Sequence, residues 1–209
     1  MLYRVLYRLS SVECYATLVR QVIRDSPQVM TVGWQYGQFM VLRLIGSDLL
    51  HMDEHTYMWI DLRHFACETA QDDRSLLASL IASPAYAHDY ASPFDPAQVV
   101  TEPAVHGRWW RDSIHPELFT PWTAPDAQAL IQNWADNQEW TDPDFRQPLE
   151  VQQRLQDVYA LLRSGDLYKL ENPSVHHDWG WVVGTYGFHE FVVIDRNKHG
   201  VHLVVAADD

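Results

Sequence analysis

The sequence predicts an α+β protein: an antiparallel, mostly meander sheet with three to four packed helices and a long Pro- and Trp-rich middle segment. Three observations carry this. Residues 179–207 hold two arms of β-branched and aromatic residues around Arg196-Asn197-Lys198-His199-Gly200, a polar, Gly-terminated cluster of hairpin type. Residues 123–134 and 148–164 repeat apolar side chains at helical spacing. Residues 84–124 hold six of the eleven prolines and show no sustained period. Within the first of these stretches, Val192-Val193-Ile194 and Leu203-Val204-Val205 are apolar at every position, which predicts central strands covered on both faces. The Tyr186-Gly187 pair predicts an earlier bend, making 179–207 a three-strand meander.

In chain order, Leu2–Leu9 reads as a strand, because Ser10-Ser11-Val12-Glu13 is a capping box that starts a helix running to Asp25. Residues 28–45 read as a hairpin, Met30–Trp34 and Phe39–Ile45, folded about Tyr36-Gly37. Tyr57–Leu62 adds a strand. The spacing of Leu76, Leu77, Leu80 and Ile81 predicts a helix over 72–82, ended by Pro84. A structureless loop as long as 84–124 is unusual inside a domain, and Trp109, Trp110, Phe119 and Trp122 argue for order there, either as short helical turns or as a functional excursion. Thr123-Ala124-Pro125-Asp126 is a second capping box, opening a helix with Ala127, Leu130, Ile131 and Trp134 on one face. Residues 148–164 place Val151, Leu155, Val158, Tyr159 and Leu162 on one face, with Gly165 as the expected C-terminal cap. Leu167–Leu170 reads as an edge strand.

A chain of 209 residues reads as a single α+β domain over 1–209. Within it, 1–83 and 148–209 each pair a helix with a hairpin, and 84–147 join them. Such a domain buries roughly 70% of the surface of its unfolded chain. No run of about 18 apolar residues marks a membrane span, and Arg4 and Arg8 interrupt the N-terminal apolar stretch. Cys14 and Cys67, lacking CxxC partners, read as reduced core thiols of a cytoplasmic protein.

The net charge is −13, and it is unevenly spread. Residues 84–150 hold eleven acids against three Arg, whereas 1–83 carry only −2 and 151–209 only −3. The chain has no basic footprint for nucleic-acid phosphates, so direct nucleic-acid binding is not expected. A basic protein partner fits the charge.

The chemistry-bearing residues form three groups. His51, Asp53 and His55 share a face if their segment is extended, and would suit a divalent metal; the spacing also occurs in solvated turns, and no cofactor is expected. His189, Glu190 and His202 lie in the predicted meander and are the candidates for general acid–base work, with the face each occupies set by the hairpin register. If the eleven histidines are mostly exposed, they titrate near pH 6.5. Third, Trp109, Trp110 and Trp122 stand among Asp112 and Glu117. Aromatic anchors beside carboxylates make a binding patch for a Lys- or Arg-rich partner. Trp is also a common core residue, and Trp134 is on an apolar helix face. No nucleophile elbow or phosphate-binding glycine loop is present.

The leading expectation is a non-enzymatic acidic protein that binds a basic protein partner. Size, acidity and aromatic content resemble those of small bacterial immunity or antitoxin-like proteins, in composition and in no motif. A His/carboxylate enzyme, metal-dependent or not, is the alternative, and an acidic mimic of nucleic acid is the third.

Overall fold

The computed structural model describes residues 42–52, 57–68, 70–90, 104–136, 146–184 and 187–208, all within the unit Phe39–Asp209. The expected strand at Leu2–Leu9, the helix from Ser11 to Asp25, and the Met30–Trp34 arm and Tyr36-Gly37 turn of the first hairpin lie outside the described residues.

Over the described residues the architecture is a six-stranded antiparallel sheet with three helices, an α+β fold. Its strands are β1 (Leu42–His51), β2 (Met58–Cys67), β5 (Phe119–Pro121), β6 (Asp166–Leu170), β7 (Phe188–Asp195) and β8 (Gly200–Asp208). They lie in the order β1-β2-β8-β7-β6-β5, so β5 through β8 run as a meander and the β1–β2 hairpin joins along β8. A two-stranded ribbon, β3 (Val105–His106) with β4 (Trp109–Trp110), stands apart from the main sheet.

Period-two alternation sends successive side chains of the central strands into two separate cores. Trp59, Phe65, Val192, Ile194, Val201, Leu203 and Val205 face one side, where they meet Leu76, Leu77 and Leu80 of α1 (Asp73–Ala82) together with Tyr86, Tyr90 and Trp109. Ile60, Leu62, Phe191, Val193, Val204 and Ala206 face the other, against α2 (Ala124–Asp136) and α3 (Leu149–Leu162). This double coverage is why Phe191–Ile194 of β7 and Leu203–Ala207 of β8 are apolar at every position. Each fully buried Val or Leu contributes roughly 1.5–3 kcal/mol.

Two of the three helices open on a side-chain cap, α1 at Asp72 and α2 at Thr123. The Asp72 carboxylate accepts from the Ser75 amide at 2.9 Å. At α2 the Thr123 hydroxyl donates to the Asp126 carboxylate at 2.6 Å and accepts from the Asp126 amide at 3.3 Å. Residues 84–124 resolve into short pieces over their described part. These are 3-10 turns at Pro84–Tyr86, Arg111–Ser113 and Pro116–Leu118, the β3–β4 ribbon, and β5.

Three expectations are corrected. Residues 179–207 form a two-stranded hairpin, because Trp179–Gly184 is a run of turns and adds no strand to the sheet. Leu167–Leu170 is not an edge: β6 lies between β7 and β5, and β5 takes the outer position. That edge is blunted by its three-residue length and by Pro121, which offers no N–H to a neighbour. Gly165 is not a left-handed cap; the glycines with positive φ among the described residues are Gly107 and Gly184. What Gly165 permits is close passage of the chain, since a Cβ there would collide with the Ile194 carbonyl.

Candidate functional site

Of the three acid–base candidates, Glu190 alone sits in a polar constellation. It projects from β7 into the α1-side core and is 1% exposed. Its Oε1 accepts from the Tyr86 hydroxyl at 2.8 Å, and its Oε2 lies 2.8 Å from His106 Nε2. The other nitrogen, His106 Nδ1, faces the Tyr86 carbonyl at 2.5 Å. A carbonyl only accepts, so Nδ1 carries a proton, and a second proton is shared between Nε2 and Glu190. The His106 and Tyr86 rings stack 3.7 Å apart at 2°. Tyr90, at φ 57°, packs edge-on to His106 and buries its hydroxyl. Burial first, and the Glu190 carboxylate second, raise the Tyr86 phenol well above its usual range.

This constellation resembles acid–base machinery in composition but not in access. His106 is fully buried and both its ring nitrogens are engaged, so it has no lone pair or proton to offer a substrate. Physically it is a clamp, fastening the Pro84–Tyr86 turn and the β3–β4 ribbon to β7.

His189 and His202 do not join Glu190. Neighbours on a strand alternate faces, so His189 and Glu190 point to opposite sides of the sheet. His189 pairs with Ala206 and His202 with Val193, placing the two histidines four register positions apart on the α2/α3 side. His202 instead meets His64 of β2, directly opposite, with the two Nδ1 atoms 2.8 Å apart. Burial, with Lys169 as a lesser cause, lowers His189 to about 4; burial, then His64, lowers His202 to about 4. Burial also lowers His51, His88 and His176. For these five histidines the expectation of titration near pH 6.5 is corrected.

The sign of the linkage follows. A histidine whose folded pKa lies below its unfolded value of about 6.5 adds no pH dependence above that value. Below it, the unfolded chain takes up a proton that the native state refuses. Stability is thus expected to fall between about pH 6.5 and 4, by a few kcal/mol for the two residues together, with the His202 share reduced by solvent screening. Urea midpoints at pH 7, 6, 5 and 4.5 check this. A midpoint constant over that range, or an unaltered slope in His202→Asn, would contradict it.

The tryptophan and carboxylate candidates are divided by the sheet. Trp109 is only 6% exposed and belongs to the α1-side core, under the Arg108 guanidinium at 5.2 Å and edge-on to His176 at 4.5 Å. As a core side chain it is unavailable as an exposed anchor, which corrects the patch expected from sequence. Trp110 is half-buried and meets His177 edge-on. Asp112 is exposed on the following 3-10 turn, and Glu117 is exposed and ion-paired with Arg74. Trp122 lies on the opposite side of the sheet, between Lys169 and Phe191. There it borders an open groove of about 500 Å³ lined also by Pro121, Thr123, Asp126, Ala129 and Leu130.

Among the described residues, the displayed tryptophans are two that the sequence places in an expected strand. Trp179 is 70% exposed and Trp181 68%. They flank Gly180, whose missing Cβ lets the turn press against the Arg108 carbonyl. The turn is held by hydrogen bonds of the Gly180 amide to the His177 carbonyl (2.9 Å) and of the Val182 amide to the Trp179 carbonyl (3.0 Å). It is tied to the β3–β4 ribbon through the Trp110 amide on the Val175 carbonyl (3.3 Å) and His177 Nε2 on the Gly107 carbonyl (2.7 Å). The local signal was present in His176-His177-Asp178, a polar run preceded by Pro173, which marks a turn better than a strand.

His51 closes β1, and its expected partners Asp53 and His55 lie outside the described residues. Among the described residues no group of three or more His, Cys, Asp or Glu side chains is placed to hold a metal ion, and no helix is long and apolar enough to cross a membrane. Comparison with known protein families, curated proteins and solved structures finds no match.

Proposed function

We propose that this protein is a non-enzymatic binding protein that docks a basic protein partner through the Trp179-Gly180-Trp181 turn and its surroundings. The observation that carries the reading is the exposure of two indoles on a turn held in place by backbone hydrogen bonds. Large apolar side chains presented in a fixed geometry lose little freedom on binding, which is the property of an interface anchor. Trp110 and the exposed Asp112 continue this side of the molecule. The net charge of −13 favours encounter with a cationic surface, and an indole face accepts Lys or Arg by cation–π contact.

The experiment is recovery of the partner from native extract, followed by rate measurements. Trp179→Ala with Trp181→Ala is expected to weaken binding by about 2 kcal/mol or more while leaving the melting temperature unchanged, since neither side chain is buried. Asp112→Lys is expected mainly to slow association and flatten its salt dependence. A double variant that binds as the parent does would remove the turn from the interface.

The enzyme reading draws on the Tyr86–His106–Glu190 cluster. The burial of all three residues and the engagement of both imidazole nitrogens weigh against it.

A further inference from the structure

A second histidine arrangement lies outside the aromatic turn and has no part in the clamp. His64 and His202 occupy directly opposed positions on β2 and β8, two inner strands whose backbones are fixed by pairing on both sides. Their ring centroids are 5.0 Å apart at 71°, and the Nδ1 atoms face each other at 2.8 Å. With both rings neutral, one Nδ1–H donates into the lone pair of the other. Moving that proton to Nε2 of the same ring leaves two neutral imidazoles whose Nδ1 lone pairs face each other across this gap.

The separation selects a coordination geometry. Two imidazole nitrogens each about 2.0 Å from a metal ion lie about 2.8 Å apart when they subtend 90°, and about 3.3 Å apart in a tetrahedron. The observed spacing is that of neighbouring corners of a square or octahedron. We propose that His64 and His202 form a two-imidazole chelating site for a divalent late first-row metal ion, Cu²⁺ or Ni²⁺ in preference to Zn²⁺, with water completing the coordination shell. No third protein ligand is placed to join them among the described residues, so the site is an open one.

The surroundings are compatible. Gly46 of β1 lies beside the His64 ring edge, where even an added Cβ would stay 3.9 Å away, and Gly200 leaves the His202 Nε2 edge uncrowded. The charged groups that His202 senses are Asp195 of β7 and Lys198 of the β7–β8 turn, in addition to His64.

The test is calorimetric titration of the full chain with Ni²⁺, which leaves the Cys67 thiol unoxidised, and separately with Cu²⁺. One ion per chain is expected, weakened at least tenfold in both His64→Asn and His202→Asn. His199→Asn, on the neighbouring turn at a positive φ that Asn tolerates, should bind like the parent. Bound Cu²⁺ should show hyperfine coupling to two nitrogens. In the unsubstituted protein, paramagnetic broadening should centre on the His64 and His202 rings, a readout that stands even if an Asn variant fails to fold. Three results would overturn the proposal: no specific uptake, uptake that survives both substitutions, or loss in one variant alone, which would mark a single-imidazole contact.

Discussion

Glu190→Ala is expected to cost about 3–5 kcal/mol, a large part of the stability of an ordinary domain. The carboxylate is the hydrogen-bond partner of the Tyr86 hydroxyl and the neighbour of His106 Nε2, both fully buried. Removing it strands these polar groups where water does not reach and leaves a cavity beside Tyr86 and His106. Glu190→Gln is expected to be much milder. Its amide oxygen still accepts from Tyr86, and its NH₂ donates to Nε2 of a neutral His106 whose Nδ1 continues to donate to the Tyr86 carbonyl. The pair of variants therefore separates the hydrogen bonds from the charge. Denaturant midpoints measure both. A Glu190→Ala protein within about 1 kcal/mol of the parent would show that the clamp does not hold the fold.

Val193→Asp is expected to unfold the protein outright. Val193 is fully buried, pairs with Leu167 and His202 on its neighbouring strands, and belongs to the core that α2 and α3 cover. An unpaired carboxylate there costs several kcal/mol, on the order of the 5–15 kcal/mol that holds a domain together. Val193→Ala loses only part of a side chain and should remain folded at a lower melting temperature. A Val193→Asp protein with the parent's circular dichroism and melting temperature would mean that β7 is not the centre of the sheet.

The two expectations test opposite faces of the same strand, and they were unequally legible. Val193 belongs to an unbroken apolar run, Phe191–Ile194, and such a run has few places to go except a covered strand. The helix start at Thr123 was equally readable, because a capping box is a contract between residues three apart. The same holds for the polar turn at 196–199. In each case the deciding interaction is local, so the chain carries it whatever the rest of the molecule does.

In the sequence Glu190 is a carboxylate beside a histidine, yet that histidine, His189, points to the other face. Its real partners stand 84 and 104 residues earlier, at His106 and Tyr86. Likewise His202 was weighed with His189 and found its neighbour in His64, 138 residues away. Pairings at such separations depend on strand register and sheet order, and a one-residue slip would exchange every one of them. The tryptophans make the same point about burial. Trp109 and Trp179 have the same side chain and each has an aromatic companion nearby, but one is in the core and the other in solvent. Local sequence determined where strands, helices and turns begin, because those choices are settled by backbone sterics and near neighbours. Which polar groups meet, and which indoles remain outside, was decided only by how the sheet stacked its two cores, because burial is a property of the space between elements.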